Sequence, residues 1–203
     1  GGSPCQSFSR LGDGSGFDGK SKLFWEFVRV LKETKPKYFL LENVVMKKEW
    51  EQVITDALGV NPIAINSKLI SAQNRPRIFW TNIPNIKQPI DLGINIKDVI
   101  NTEFSKDYPN YLDLEFGGKK RKDLVKLYTK KASCLTASMY KGQISSFCKN
   151  EEGSIYKYTP NDCEILQTVP IDYTKIVSNT QRYKMLGNGW TVDVIAHIFK
   201  NII

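Results

Sequence analysis

The sequence has one histidine, and its four cysteines, Cys5, Cys134, Cys148 and Cys163, are so far apart that no Cys-x-x-Cys or Cys-x-x-His spacing occurs. Structural zinc sites draw on closely spaced ligand pairs, so no metal is expected. No apolar run approaches the ~20 residues that cross a bilayer, and no basic-then-apolar leader precedes the first motif, so no membrane partner and a soluble, cytoplasmic chain are expected. Internal repeats and low-complexity tracts are also lacking. Acidic residues are in deficit: 21 Asp and Glu stand against 29 Lys and Arg, a formal charge of +8. The excess gathers in "GGKKRKDLVKLYTKK", residues 117–131. Such a stretch is either a solvated basic face or a surface that gains from a polyanion by counterion release.

What is present fits an ordinary globular protein, 41% hydrophobic and 25% charged over 203 residues, with length enough for a sizeable core. In "KSKLFWEFVRVLKETK", Leu23, Phe24, Phe27, Val28, Val30 and Leu31 form one apolar helical stripe that Pro36 ends. "KYFLLENV" reads as a buried strand that presents Glu42 and Asn43 at its carboxyl end. "KKEWEQVITDALGV" is a second amphipathic helix, closed by Gly59. "NPIAINSKLIS" and "RIFWTNIP" read as two further strands, which gives an α/β layered sheet. Ligands of such sheets sit beyond the carboxyl ends of the strands, where Glu42 and the Cys5 loop are both expected.

From about Asn85 to Lys149 the periodicity weakens into short strands and turns, with one helix expected near Lys122 to Tyr128. In "TPNDCEILQTV", Thr159 suits a helix cap and Pro160 the first helical position. "TVDVIAHIFKNII" reads as a closing helix that packs on the sheet. The expected organisation is a catalytic domain over residues 1–85, a target-recognition region over 86–150, and a return to the catalytic domain over 151–203.

Cys5 follows a proline in a loop rich in glycine and serine, a setting that suits a nucleophile better than a packing residue. Alone, the Pro-Cys pair equally fits a loop thiol without a role. Glu42 could instead cap the helix near Lys47, and Arg75 and Arg77 could be surface cations. Taken together, a thiolate, a carboxylic acid and two guanidiniums suit attack on an electron-poor heteroaromatic ring. Cys134, Cys148 and Cys163 read as buried or half-buried small apolar residues.

"GGSPCQSFS", "LLENV", "SAQNRPRIFW", "TPNDCEILQTVP" and "MLGNGWTVDVIAHIF", in that order around a variable basic region, resemble the motifs of the cytosine-C5 DNA methyltransferases. The blocks "LGNGWTVDVIAHIF" and "VPIDYT" are closer to the animal de novo enzymes and their phage or bacterial relatives. The resemblance implies a Rossmann-like methyltransferase sheet with a small mixed target-recognition domain, and a role in DNA methylation or restriction-modification. It implies S-adenosyl-L-methionine as methyl donor and double-stranded DNA as partner. Cys5 would add to C6 of a flipped-out cytosine, Glu42 would protonate N3 and Arg77 would hold O2, with Arg75 the fourth catalytic residue. The donor would be lined by Pro4, Leu23, Asn188 and Trp190, although Trp190 could equally be a core aromatic. Gln6, Ser7, Ser9 and Arg10 of the loop, with Asn43, Gln73, Ser138 and Lys141, are the implied substrate and DNA contacts.

Two departures accompany the resemblance. Gly189 and Trp190 follow "GN" where many bacterial members carry a small residue and then valine, and Ile165 stands where many of them carry arginine; Ser138, besides, stands near the place of a guanine-reading arginine in the animal enzymes. The family's glycine-rich donor loop, its ribose-binding acid and the first strands of its sheet are expected N-terminal to the Pro-Cys motif. An N-terminal half or second subunit is therefore the expected partner. The competing expectations are a non-catalytic DNA-binding or regulatory subunit and an RNA cytosine-C5 methyltransferase.

Overall fold

A computed structural model describes Gly1, Gly2, Phe17 and residues 20–202, with Lys20, Ser21 and Phe116 by backbone alone. The chain divides into two compact units: residues 1–66, 76–88 and 197–203 form one, and residues 67–75 and 89–196 the other.

The first unit is a three-stranded sheet with helices. A 3-10 turn over Lys20–Leu23 leads into α1 (Phe24–Thr34). Lys35 ends α1 in the left-handed conformation, with φ 43°, just before Pro36. The chain continues through β1 (Leu40–Val44), α2 (Lys48–Leu58), β2 (Ile63–Asn66) and β3 (Pro76–Thr81). Gly59 closes α2 at φ 67°, a left-handed cap that costs glycine little.

β3 lies between β1 and β2 and is antiparallel to both, so the order is β1-β3-β2 and the two outer strands run in the same direction. The register pairs Leu41 with Trp80 and Asn43 with Ile78. Side chains alternate across a strand, so these residues share one face. Leu41, Ile78 and Trp80 there pack with Phe24 and Val28 of α1 and Ile54 of α2. The Trp80 indole N–H donates to Thr55 Oγ1 of α2 at 3.0 Å. Glu42, Val44, Arg77 and Phe79 share the opposite face. On the outer edge of β1, Gly2 makes a parallel bridge to Glu42, whose N–H donates to Gly1 O at 2.9 Å.

The second unit is built from short pieces. They are α3 (Ile96–Val99), a hairpin of β4 (Glu115–Phe116) and β5 (Lys119–Lys120), β6 (Lys126–Leu127), β7 (Phe147–Lys149), β8 (Ile155–Lys157), α4 (Pro160–Leu166) and α5 (Asn179–Asn188). The final helix, α6 (Val192–Phe199), begins in this unit. β6 is parallel to β7, and β7 is antiparallel to β8. The core joins Ile96, Leu135, Met139, Tyr158, Leu166 and Leu186. Thr159 caps α4 with Pro160 first in the helix, as expected, and Asp162 returns a bond to the Thr159 N–H at 2.7 Å.

The helix expected near Lys122 to Tyr128 is not formed. Arg121–Leu124 is a 3-10 turn, and the chain then extends into β6. Only Val125 is fully buried in that stretch, so Lys122, Asp123 and Lys126 leave no apolar stripe to hold a helix. Extension lets Lys126 and Leu127 pair with Cys148 and Lys149 instead.

Glu164 of α4 is fully buried and meets Arg182 of α5 at 3.0 Å. Thr174 Oγ1 and the Thr174 and Asp172 N–H groups also donate to its carboxylate. Burial pushes this carboxyl up, but the Thr174, Arg182 and Asp172 bonds outweigh it and leave the group below its ordinary value. A carboxyl lowered by folding stabilises above its unfolded pKa, and that contribution is lost as pH falls through the folded value. Glu164→Gln is expected to cost about 3 kcal/mol at pH 7. It should also flatten the loss of stability as pH falls below the ordinary glutamate range, which urea midpoints measured against pH would show.

Candidate active site

Glu42 lies near the carboxyl end of β1, between buried Leu41 and Asn43. In the antiparallel register Val44 faces Arg77, so Arg77, near the start of β3, lies diagonally across from Glu42 on the same face. Glu42 Oε1 and Arg77 Nε are 2.6 Å apart, and the two side chains are only 13% and 15% exposed. Arg77 Nη1 also donates to Pro76 O at 2.8 Å. The sheet thus presents an acid and a guanidinium as one partly desolvated pair, in which the charge-assisted bond is stronger than at an open surface. Asn43 projects from the other face, is 1% exposed, and accepts from the Val44 N–H at 2.8 Å.

In the second unit, Gln73 and Arg75 are buried. Arg75 Nη1 donates to Leu135 O at 2.9 Å and to Cys134 Sγ at 3.3 Å. Its Nη2 donates to Gly187 O at 3.1 Å and Gly189 O at 2.8 Å, the carbonyls on either side of Asn188. Gln73 donates to Leu166 O and Gln167 Oε1 and accepts from the Leu135 N–H. Asn188, the last residue of α5, is exposed, and Trp190 is half-buried. Ser138 and Lys141 lie at a 3-10 turn over Met139–Lys141, with the Lys141 and Lys184 ammoniums 5.8 and 5.5 Å from the centre of the Tyr140 ring.

The structure therefore joins Glu42 to Arg77 in one unit, and in the other joins Arg75 to the carbonyls flanking Asn188 and Gln73 to Gln167. Leu23, in the first unit, is 52% exposed, and Trp25 two residues on is 46% exposed. Phe17, Phe24 and Trp25 form a ring cluster there, with centroids 4.9 to 5.7 Å apart. Pro4, Cys5, Gln6, Ser7, Ser9 and Arg10 lie outside the described residues. Burial raises the Cys148 thiol to about 12 and pushes Cys163 higher still. Neither can act as a thiolate at neutral pH. Among the described residues, no group of three or more His, Cys, Asp or Glu is placed to hold a metal, and no helix is long and apolar enough to cross a membrane.

Sequence reasoning passed over Gln167, Thr191 and Arg182 as organising residues. Each looks like an ordinary polar residue in or beside a helix, and its partners lie 8 to 94 positions away. The one signal was the order of blocks, which sets "LQ" before "LGNGW".

The architecture is that of a methyltransferase. The chain superposes on the crystal structure of the Dnmt2 methyltransferase of S. pombe with a TM-score of 0.59 at 18% identity, covering 91% of this chain and 72% of that one. The chain belongs to the C-5 cytosine-specific DNA methylase family, whose sequence model matches residues 1–141 and 96–203. It is 28% identical to the type II methyltransferase M.SsoII of Shigella sonnei over 238 residues, and 26% identical to M.HhaI of Haemophilus parahaemolyticus over 244. These alignments take in 100% and 99% of the chain but 62% and 74% of the two relatives.

Gly187, in the middle of "LGNGW", is fixed by sterics. A Cβ there would lie 2.1 Å from Thr136 C and 2.3 Å from Ala137 N, which are backbone atoms that cannot step aside. Gly187→Ala is expected to destabilise the second unit by about 3 kcal/mol. A lowered unfolding midpoint in urea at unchanged slope would show it.

Proposed function

We propose that the chain carries the catalytic thiol and base-holding groups of an enzyme that methylates C5 of cytosine in duplex DNA. The observation that carries this reading is the Glu42–Arg77 pair, 2.6 Å apart on one sheet face, in a chain of the C-5 cytosine-specific family. Gly2 pairs beside Glu42, and Cys5 follows after three more residues.

The chemistry then divides by residue. The Cys5 thiolate forms a bond to C6 of a cytosine swung out of the stack. Glu42 delivers a proton to N3, and Arg77 holds O2 and the charge that develops there. C5 becomes enamine-like and takes the methyl group. Loss of the C5 proton with expulsion of the Cys5 thiolate, and return of the N3 proton to Glu42, restores the ring. Loop residues Gln6, Ser7, Ser9 and Arg10, with Ser138 and Lys141, would contact the DNA. The buried settings of Arg75, Gln73 and Asn43 suit positioning rather than contact with the base.

S-adenosyl-L-methionine, when bound, supplies the electrophilic methyl. Each unit offers groups that suit part of such a donor: in the first, exposed Leu23 and Trp25 give apolar surface for a purine, and in the second, Asn188 is an exposed amide at the end of α5. Pro4 and Trp190 would complete the lining. The chain spans 62% of the length of M.SsoII, and we infer that an N-terminal half or second subunit completes the donor site.

Trapping on a duplex containing 5-fluorocytosine tests the reaction, with that N-terminal segment and the donor supplied. The C5–F bond cannot be broken by proton loss, so a denaturant-resistant protein–DNA adduct is expected. Cys5→Ala should abolish it, and Glu42→Gln should slow its formation about 100-fold. No adduct, one that survives Cys5→Ala, or one formed only on RNA contradicts the reading.

DNA engagement has its own signature in the β4–β5 hairpin. Gly117 and Gly118 have φ of 60° and 75°, the pair of positive values that a tight two-residue turn demands. The hairpin carries exposed Lys119 and Lys120, and neither forms an ion pair among the described residues. Lys122, by contrast, is held by Asp113 at 2.8 Å. Replacing Lys119 and Lys120 by alanine is expected to reduce the slope of log K against log salt by about 2, since each phosphate left without its cation accounts for about 0.9. Fluorescence anisotropy on duplex DNA between about 50 and 200 mM salt reads it directly.

A further inference from the structure

Three helix ends meet at one glutamine. Gln167 closes α4, and its side-chain amide is 1% exposed with every hydrogen-bonding position occupied. Nε2 donates to Leu186 O at 2.5 Å and Gly189 O at 3.1 Å, and Oε1 accepts from Gln73 Nε2 at 3.1 Å and Thr191 Oγ1 at 2.8 Å. Its backbone carbonyl accepts the Val192 N–H at 2.9 Å, at the start of α6. The neighbouring Thr168 hydroxyl accepts the Asp193 N–H at 2.9 Å and donates to Gln167 O at 2.7 Å.

Thr168 makes these contacts at φ 56°. A β-branched residue is strained there, and such a conformation persists only where its surroundings over-determine it. The clamp thus grips the turn between α5 and α6 from both ends: the last carbonyls of α5 are held by Gln167 and Arg75, and the first amides of α6 by Gln167 and Thr168. Asn188 and Trp190 are carried on that turn, and among the described residues their side chains have no comparable grip of their own.

We propose that Gln167 is a positioning residue for the methyl-donor edge of the site. Its amide sets the Gly187–Thr191 turn, and through it the placement of Asn188 and Trp190. The assignment rests on the functional reading that this turn borders the donor. Methionine has the length of glutamine without its hydrogen bonds, and would leave Leu186 O and Thr191 Oγ1 without their partner in a dry site.

Gln167→Met and the milder Thr191→Val are to be compared with wild type by two measurements. Hydrogen exchange in the chain itself reports the turn: the Gly189, Val192 and Asp193 amides are expected to exchange at least about tenfold faster in Gln167→Met, with the α2 amides unchanged. Thr191→Val should shift the same amides in the same direction by less. Steady-state kinetics with the N-terminal segment supplied report the donor: the KM for S-adenosyl-L-methionine is expected to rise about tenfold, with kcat changed less than about threefold and the KM for DNA unmoved.

Unchanged exchange at the turn overturns the proposal. So does a fall in kcat that tracks the loss of folded protein with the donor KM constant, which is the pattern of a merely structural residue. A wild-type enzyme with no saturable dependence on the donor removes the functional reading itself and the donor assignment with it. Exchange then still decides whether Gln167 sets the turn.

Discussion

The final carbonyls of a helix have no partner within it, and in α5 two of them belong to the buried residues Leu186 and Gly187. Arg75 supplies the answer from 112 residues away by donating to Gly187 O, on the side of the cation that the helix dipole favours. A buried guanidinium would be costly alone. Here the carbonyls of Leu135, Gly187 and Gly189 and the Cys134 sulfur spread its charge over four acceptors. Much of the second unit follows from this arrangement. The segment over residues 67–75 is drawn into that unit, Gly187 must lack a side chain to lie against Thr136 and Ala137, and Gln73 and Gln167 complete the polar lining.

The two arginines of "NRPRIF" accordingly do different work, although they are separated by one residue. Arg75 satisfies buried carbonyls, and Arg77 meets a carboxylate on the next strand. Pro76 between them begins β3, and alternation along that strand places Arg77 on the face of Glu42 rather than the face packed by α1 and α2. The difference is one of surroundings and not of chemistry. A guanidinium paired with an acid on an open sheet face can hold a polar ring, whereas one bonded mainly to buried carbonyls serves to shape the backbone.

The parts of the fold built on local periodicity were legible in the sequence. The stripe of Leu23, Phe24, Phe27, Val28, Val30 and Leu31, the "KYFLLENV" run and the Gly59 stop each specify an element, and α1, β1 and α2 lie where those patterns place them, although Leu23 precedes α1 and both Leu23 and Val30 are exposed. The basic stretch was not legible as structure. Lys122 to Tyr128 has helical spacing only if its charged residues are ignored, and pairing with β7 is a long-range choice. The candidate site was legible in part. Glu42 and Arg77 stand out as a strand-end acid and a cation in separate motifs, but only the antiparallel register of β1 and β3 makes them neighbours. Arg75 stands out in its motif, but nothing local tells that it serves buried carbonyls, and the same holds for Gln167, because those partners lie far away along the chain.

The account turns on cytosine C5 as the atom that receives the methyl group, since the nucleophile, acid and guanidinium have no common purpose otherwise. Nucleoside mass spectrometry of duplex DNA settles the point most directly, after incubation with the completed enzyme and isotopically labelled S-adenosyl-L-methionine. The account predicts label in 5-methyldeoxycytidine alone. Label in a methylated exocyclic amine of cytosine or adenine, or transfer to RNA with none to duplex DNA, would contradict it.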